Sequence, residues 1–113
     1  PMATTDAPNI VTTTSTTTAD LSYLTTEVKQ VAIENYHATQ ILYVKPKFGA
    51  TAAAALAAAT ADAAVVGADD VFVIPAGKRK VIAKSTRGVF CAISHIASGA
   101  ATTFTMEGTA FRD

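Results

Sequence analysis

Ser94 and His95 are adjacent, and a serine beside a histidine is the pairing from which a nucleophile and its general base are built. Neighbours on a strand point to opposite faces, so these two would not meet there. No Gly-x-Ser-x-Gly elbow surrounds Ser94. The pair reads as strand-end polar residues. His37 falls in a turn, where a solvated imidazole is the ordinary outcome. Two histidines without Cys or Glu at ligand spacing do not make a metal site. Asp62, Asp69 and Asp70 lack the spacing of a calcium loop, and adjacent Asp residues before a strand make turns or caps. Cys91 lies amid Val89, Phe90 and Ile93 and reads as a buried structural thiol. Glu27, Glu34 and Glu107 are scattered, so no carboxylate pair for glycosidase-type chemistry can be drawn from them. The expectation is no catalytic group, no metal, no cofactor and no small-molecule substrate.

Lys78-Arg79-Lys80 is the dense charge cluster, with Lys84 and Arg87 close by. On a hairpin these cations gather at one end or edge. They either block aggregation there or dock an acidic partner surface. The 113-residue chain holds nine basic and nine acidic residues, a net charge of zero. That balance and the lack of an aromatic stacking platform argue against a nucleic-acid partner. No run of strongly apolar residues is long enough to span a membrane. One cysteine excludes an internal disulfide framework.

The elements that must position these residues are short. Val31 and Ile33 alternate with Gln30, Ala32 and Glu34, as in a half-buried strand. Asn35 to Thr39 forms a turn. Ile41-Leu42-Tyr43-Val44 is a more buried strand, stopped at Pro46. Val71-Phe72-Val73-Ile74 ends at the turn Pro75-Ala76-Gly77, and Lys80-Val81-Ile82-Ala83 leads away from it. Val89 to Ile93 follows Gly88. After the turn at Ser98-Gly99, Phe104 and Met106 alternate with Thr103 and Thr105. Strands at this spacing indicate an all-β fold, a single small antiparallel sandwich or barrel spanning residues 27–113.

Half of the chain is hydrophobic, but 24 of those residues are Ala; Thr adds 18 more positions. Both surpluses are local. Residues 1–26 are Thr-rich, with the uncharged run Ile10-Val11-Thr12-Thr13-Thr14. β-Branched residues favour extended backbone. This segment is read as an extended N-terminal arm that becomes a strand by pairing with a neighbouring edge. Its first 20 residues could reach about 65 Å. The Ala-rich stretch at about 49–68 is read as an insertion, a short helix or irregular loop lying on the sheet or on a partner, with Leu56 as its apolar anchor.

Val28 to Asn35, Ile41-Leu42-Tyr43-Val44, Val71 to Gly77, Val89 to Ile93 and Ser98 to Glu107 follow an order that resembles a group of small tailed-bacteriophage virion proteins. The resemblance covers roughly residues 28–108. It implies a jelly-roll-like β-sandwich serving as a capsid decoration, or cement, protein. Such a protein binds the outer surface of an assembled capsid and bridges major capsid protein subunits. It implies a location on the virion after synthesis in the host cytoplasm, as a homodimer or homotrimer. Expected partner contacts are Ile10, Val11, Thr12 and Thr14 in the arm, Leu56 in the insertion, and Lys78, Arg79 and Lys80. The alternatives are a head–tail connector or tail-associated protein, and a receptor- or carbohydrate-binding sandwich. Sugar sites favour exposed aromatics; here there is no Trp, and Tyr23, Tyr36 and Tyr43 are the tyrosines.

Overall fold

The computed structural model describes residues 9–109. They form eight strands and one helix: β1 (Asn9–Ser15), β2 (Asp20–Tyr23), β3 (Gln30–Asn35), β4 (Leu42–Gly49), α1 (Ala52–Ala61), β5 (Phe72–Ile74), β6 (Arg79–Lys84), β7 (Phe90–Ala97) and β8 (Thr102–Thr109). Two four-stranded antiparallel sheets result. Sheet A has the order β1-β8-β3-β6 and sheet B the order β2-β7-β4-β5. All connections but that from β4 to β5 cross between the sheets, which is jelly-roll winding. The all-β sandwich expected from strand spacing is what the chain forms.

The core lies between the sheets. Sheet A contributes Val31, Ile33, Ile82, Phe104 and Met106; sheet B contributes Leu42, Val44, Ile74, Cys91 and Ile93. Leu24 and Val28, in the β2–β3 connection, close one end. They approach the sheet over Gly108, where a Cβ would lie 2.4 Å from Val28 Cγ1 and 2.7 Å from Leu24 Cδ1. Only glycine leaves room for that plug.

Three elements differ from the sequence reading. Residues 9–26 belong to the sandwich and do not project as a separate arm; residues 1–8 lie outside the described residues. β1 pairs with β8 from Asn9 to Ser15, β2 pairs with β7, and Leu24 is fully buried. The Thr-rich run finds its neighbouring edge in its own chain. Its few large apolar residues hid this, because an edge strand needs only a half-buried inner face, here Val11 and Thr13. Second, β4 does not stop at Pro46 but runs on to Gly49. β5 pairs only with Leu42 to Val44, so the far half of β4 has one free flank where a missing N–H is tolerated. Third, Ala32 faces outward yet is buried.

The Ala-rich stretch is helical over α1 and lies on its own sheet. Thr51 caps it, its hydroxyl accepting from Ala54 N at 3.0 Å. Ala55 and Ala59 are buried against Ala92 of β7, with Leu21, Leu56 and Phe90 around them. Close approach is possible because the contacting residues are small. At Gly49 a Cβ would meet Ala55 N at 2.5 Å and Ala54 C at 2.8 Å.

Candidate interaction surfaces

Ser94 and His95 sit mid-strand in β7, both buried, and not at a strand end. Their side chains go to opposite faces, as strand alternation requires. Ser94 Oγ accepts from Ala64 N at 2.8 Å beneath the chain that leaves α1. His95 points into the core, its ring edge-on to Phe104 with centroids 4.8 Å apart. Its Nδ1 lies 2.9 Å from Ser15 Oγ and its Nε2 2.9 Å from Ser22 Oγ. A neutral imidazole donates through one nitrogen and accepts through the other, so one hydroxyl accepts and the other donates. Burial pushes the His95 pKa below its ordinary value. The triplet ties β1 of sheet A to β2 and β7 of sheet B. Sequence separations of 73 and 80 residues kept it out of reach of motif reading.

His37, Asp62 and Asp70 have structural partners, and Cys91 is buried. His37 Nδ1 accepts from the backbone N–H groups of Thr39 and Gln40, each at 3.0 Å, so it holds the turn after β3. Asn35, fully buried, holds the same turn from inside. Its amide donates to Gln40 O at 2.8 Å and Ile74 O at 3.1 Å, and its Oδ1 accepts from His37 N. Cys91 is buried, and desolvation pushes its thiol pKa up to about 12, which makes it inert as a nucleophile. Asp62 is the C-cap of α1. Lys45 Nζ reaches Asp62 at 2.7 Å and Asp70 at 2.8 Å, and Lys47 reaches Asp62 at 2.5 Å. The hydrogen bonds from Lys45 and Lys47 lower the Asp62 pKa to about 2. Asp70 is lowered by Lys45, and Lys45 is raised by both carboxylates.

The two outer faces are therefore unequal. Sheet B is covered by α1 and by this ion network. Among the described residues no helix covers sheet A. Its outward positions are set by the register: Ile10 opposite Glu107, Thr12 opposite Thr105, Thr14 opposite Thr103. Ala32 and Glu34 continue the face on β3, with Val81 and Arg79 opposite them on β6. Threonine dominates the β1–β8 half. Tyr36 leans over it, its hydroxyl 3.4 Å from Thr105 Oγ1, and Ile10, Tyr36 and Val81 are exposed.

The expected contact residues do not form one patch. Ile10, Thr12, Thr14 and Arg79 share the bare face. Val11 turns inward against the core. Leu56 is half-buried, packed on its own sheet beside Ala55, Ala59 and Ala92. The cationic cluster divides. Lys78 is exposed in the β5–β6 turn, Arg79 pairs with Glu107 at 3.1 Å, and Lys80 Nζ sits 5.9 Å from the centre of the Phe72 ring. Alternation along β6 separates three cations that are consecutive in sequence.

Comparison with protein-family models, curated proteins and solved structures finds no match for this chain.

Proposed function

We propose that the protein is a structural virion component that binds the outer surface of an assembled phage capsid and stabilises it by bridging major capsid protein subunits. The observation that carries this reading is the bare outer face of sheet A. A sandwich that closes one sheet with a helix leaves the other as a surface of threonine methyls and hydroxyls, with Ile10, Tyr36 and Val81 exposed beside them and Glu34, Arg79 and Glu107 on the same face. Such a surface supplies apolar area and hydrogen-bonding groups, with its charge confined to Glu34 and the paired Arg79 and Glu107. The resemblance of residues 28–108 to small virion proteins supports the same reading. A rigid module that binds only the assembled shell stabilises it by mass action, without chemistry. Many copies on a symmetric lattice add up.

The test is co-sedimentation of the purified protein with shells assembled from the major capsid protein, and with the unassembled subunit. Binding to shells and not to free subunits is expected. Thr103→Lys and Thr105→Lys together should remove the binding while leaving the fold intact. Equal recovery with and without shells would sink the proposal. Copy number then separates it from a connector: hundreds per particle fit decoration, six or twelve do not.

A further inference from the structure

Four strand edges flank the two sheets: β1 and β6 in sheet A, β2 and β5 in sheet B. An open edge is a template for pairing, and natural sandwiches blunt such edges with charge, proline, irregularity or brevity. Three of these four are blunted. β6 carries Arg79, Lys80 and Lys84 and pairs with β3 through a register shift. β5 is three residues long and is followed by Pro75. β2 is four residues long and starts at Asp20. β1 has Pro8 directly before it, but within the strand it carries no charge, no proline and no irregularity. It is seven residues long and its register with β8 is unbroken. No charged residue or proline occurs from Asn9 to Ala19.

We propose that the β1 edge takes β1 of a second copy of this chain, antiparallel across a two-fold axis, joining two A sheets into one eight-stranded sheet. Three observations select that occupant. The strand is uncharged, so self-pairing places no like charges opposite one another. Within the described strand, one register uses every residue. Centring the axis on Thr12 pairs all seven residues of each strand, Asn9 with Ser15, Ile10 with Thr14, Val11 with Thr13 and Thr12 with Thr12 of the other copy. Any other antiparallel register leaves some of these described residues unpaired. Finally, a groove of about 390 Å³ runs beside the edge, lined by Val11 and Thr13 of β1, Leu21, Ser22 and Tyr23 of β2, and Thr25. In the Thr12-centred register the inward side chains of the incoming strand, its own Val11 and Thr13, sit over that groove. Main-chain bonds supply pairing and the groove supplies side-chain pockets. The interface is isologous and closes at two copies. Both bare faces then lie on the same side of the joined sheet. The pairing is a property of the free protein and is independent of shell binding.

Sedimentation velocity on the full chain should give a dimer. Thr12→Lys places two ammonium groups opposite each other, and Thr12→Glu two carboxylates. Each should weaken self-association about fivefold or more. Mixing the two variants should restore it. Mild oxidation of Thr12→Cys should give a disulfide-linked dimer, because residue 12 faces itself, whereas Thr14→Cys should not, because residue 14 faces residue 10. Cys91, buried, does not compete. A chain that stays monomeric, a trimer, or a dimer indifferent to both charge variants would overturn the proposal. Thr12 lies on the bare face opposite Thr105, so the two proposals are separated by readout: sedimentation of the free chain tests the dimer and co-sedimentation with shells tests shell binding, and either can fail alone.

Discussion

The outer faces of the two sheets solve opposite problems. On sheet B the helix α1 lies close enough for Ala55 and Ala59 to touch Ala92, and Lys45 and Lys47 hold its C-terminal end through Asp62. On sheet A the corresponding surface is left as cross-strand threonine pairs, Thr12 with Thr105 and Thr14 with Thr103. The covered face is rich in small residues because a close approach needs them. The bare face is rich in threonine because a strand exposed to water or to a partner favours a β-branched residue with a polar tip. The difference teaches that the alanine and threonine surpluses have separate causes. One seats the helix on sheet B, and the other lines an outer face that no helix among the described residues covers.

The interior common to both faces sets the scale, so the largest effect is expected there. His95→Ala removes the ring between Ser15 and Ser22 and leaves two buried hydroxyls unpaired. The loss should be about 3 kcal/mol in urea unfolding. The sign of its pH dependence follows from burial. His95 titrates below its ordinary 6.5 in the folded state, so its contribution is full above that pH and lost as pH falls below it. The wild type should therefore lose stability below about pH 6.5 more steeply than His95→Ala does. An identical pH slope would remove His95 from the account.

Next in size is the seat of the helix. Gly49→Ala drives a methyl into the backbone at Ala55 and should cost about 2 kcal/mol, with reduced far-ultraviolet helix signal. If the loss were within error, the close approach of α1 would not be what holds the covered face. A smaller effect is expected from acid. As pH falls from about 4 towards 2, Asp62 takes up the proton that its lysine partners had kept off, and the stability it contributes above pH 4 is lost. Amide exchange over α1 should rise in that window, and Asp62→Asn should show fast exchange at both ends of it. The smallest effect belongs to the bare face. Thr103→Ala and Thr105→Ala should each change folding stability by about 0.5 kcal/mol or less. A loss of several kcal/mol there would mean that the face is part of the fold rather than a surface left for a partner.

Much of the core was legible because it follows alternation. Val31, Ile33, Phe104 and Met106 recur at period two, and the register places all four inside. The turn at Pro75-Ala76-Gly77 separates β5 from β6 as its residue types require. The buried state of Cys91 followed from its apolar neighbours. Asn35 looks in sequence like the start of a turn, whereas in the fold it ends β3 and organises that turn from a buried position, since its hydrogen bonds to Gln40 and Ile74 depend on which strands are neighbours. The His95 triplet was illegible for the same reason. Its members are polar residues whose meaning comes only from facing one another across two sheets.

The sequence by itself determined the class of fold, the strand-forming runs and which residues of each run go inside. Those are local properties: side-chain shape, alternation and turn chemistry act within a few residues. Tertiary structure alone decided where Asn9 to Ser15 belongs, which sheet face α1 covers and which strands are edges among the described residues. Each of these depends on contacts between segments far apart in the chain. The Thr-rich run is the sharpest case. Its residues specify a strand, but only the pairing of β8 on one side and the absence of any pairing among the described residues on the other make it an edge.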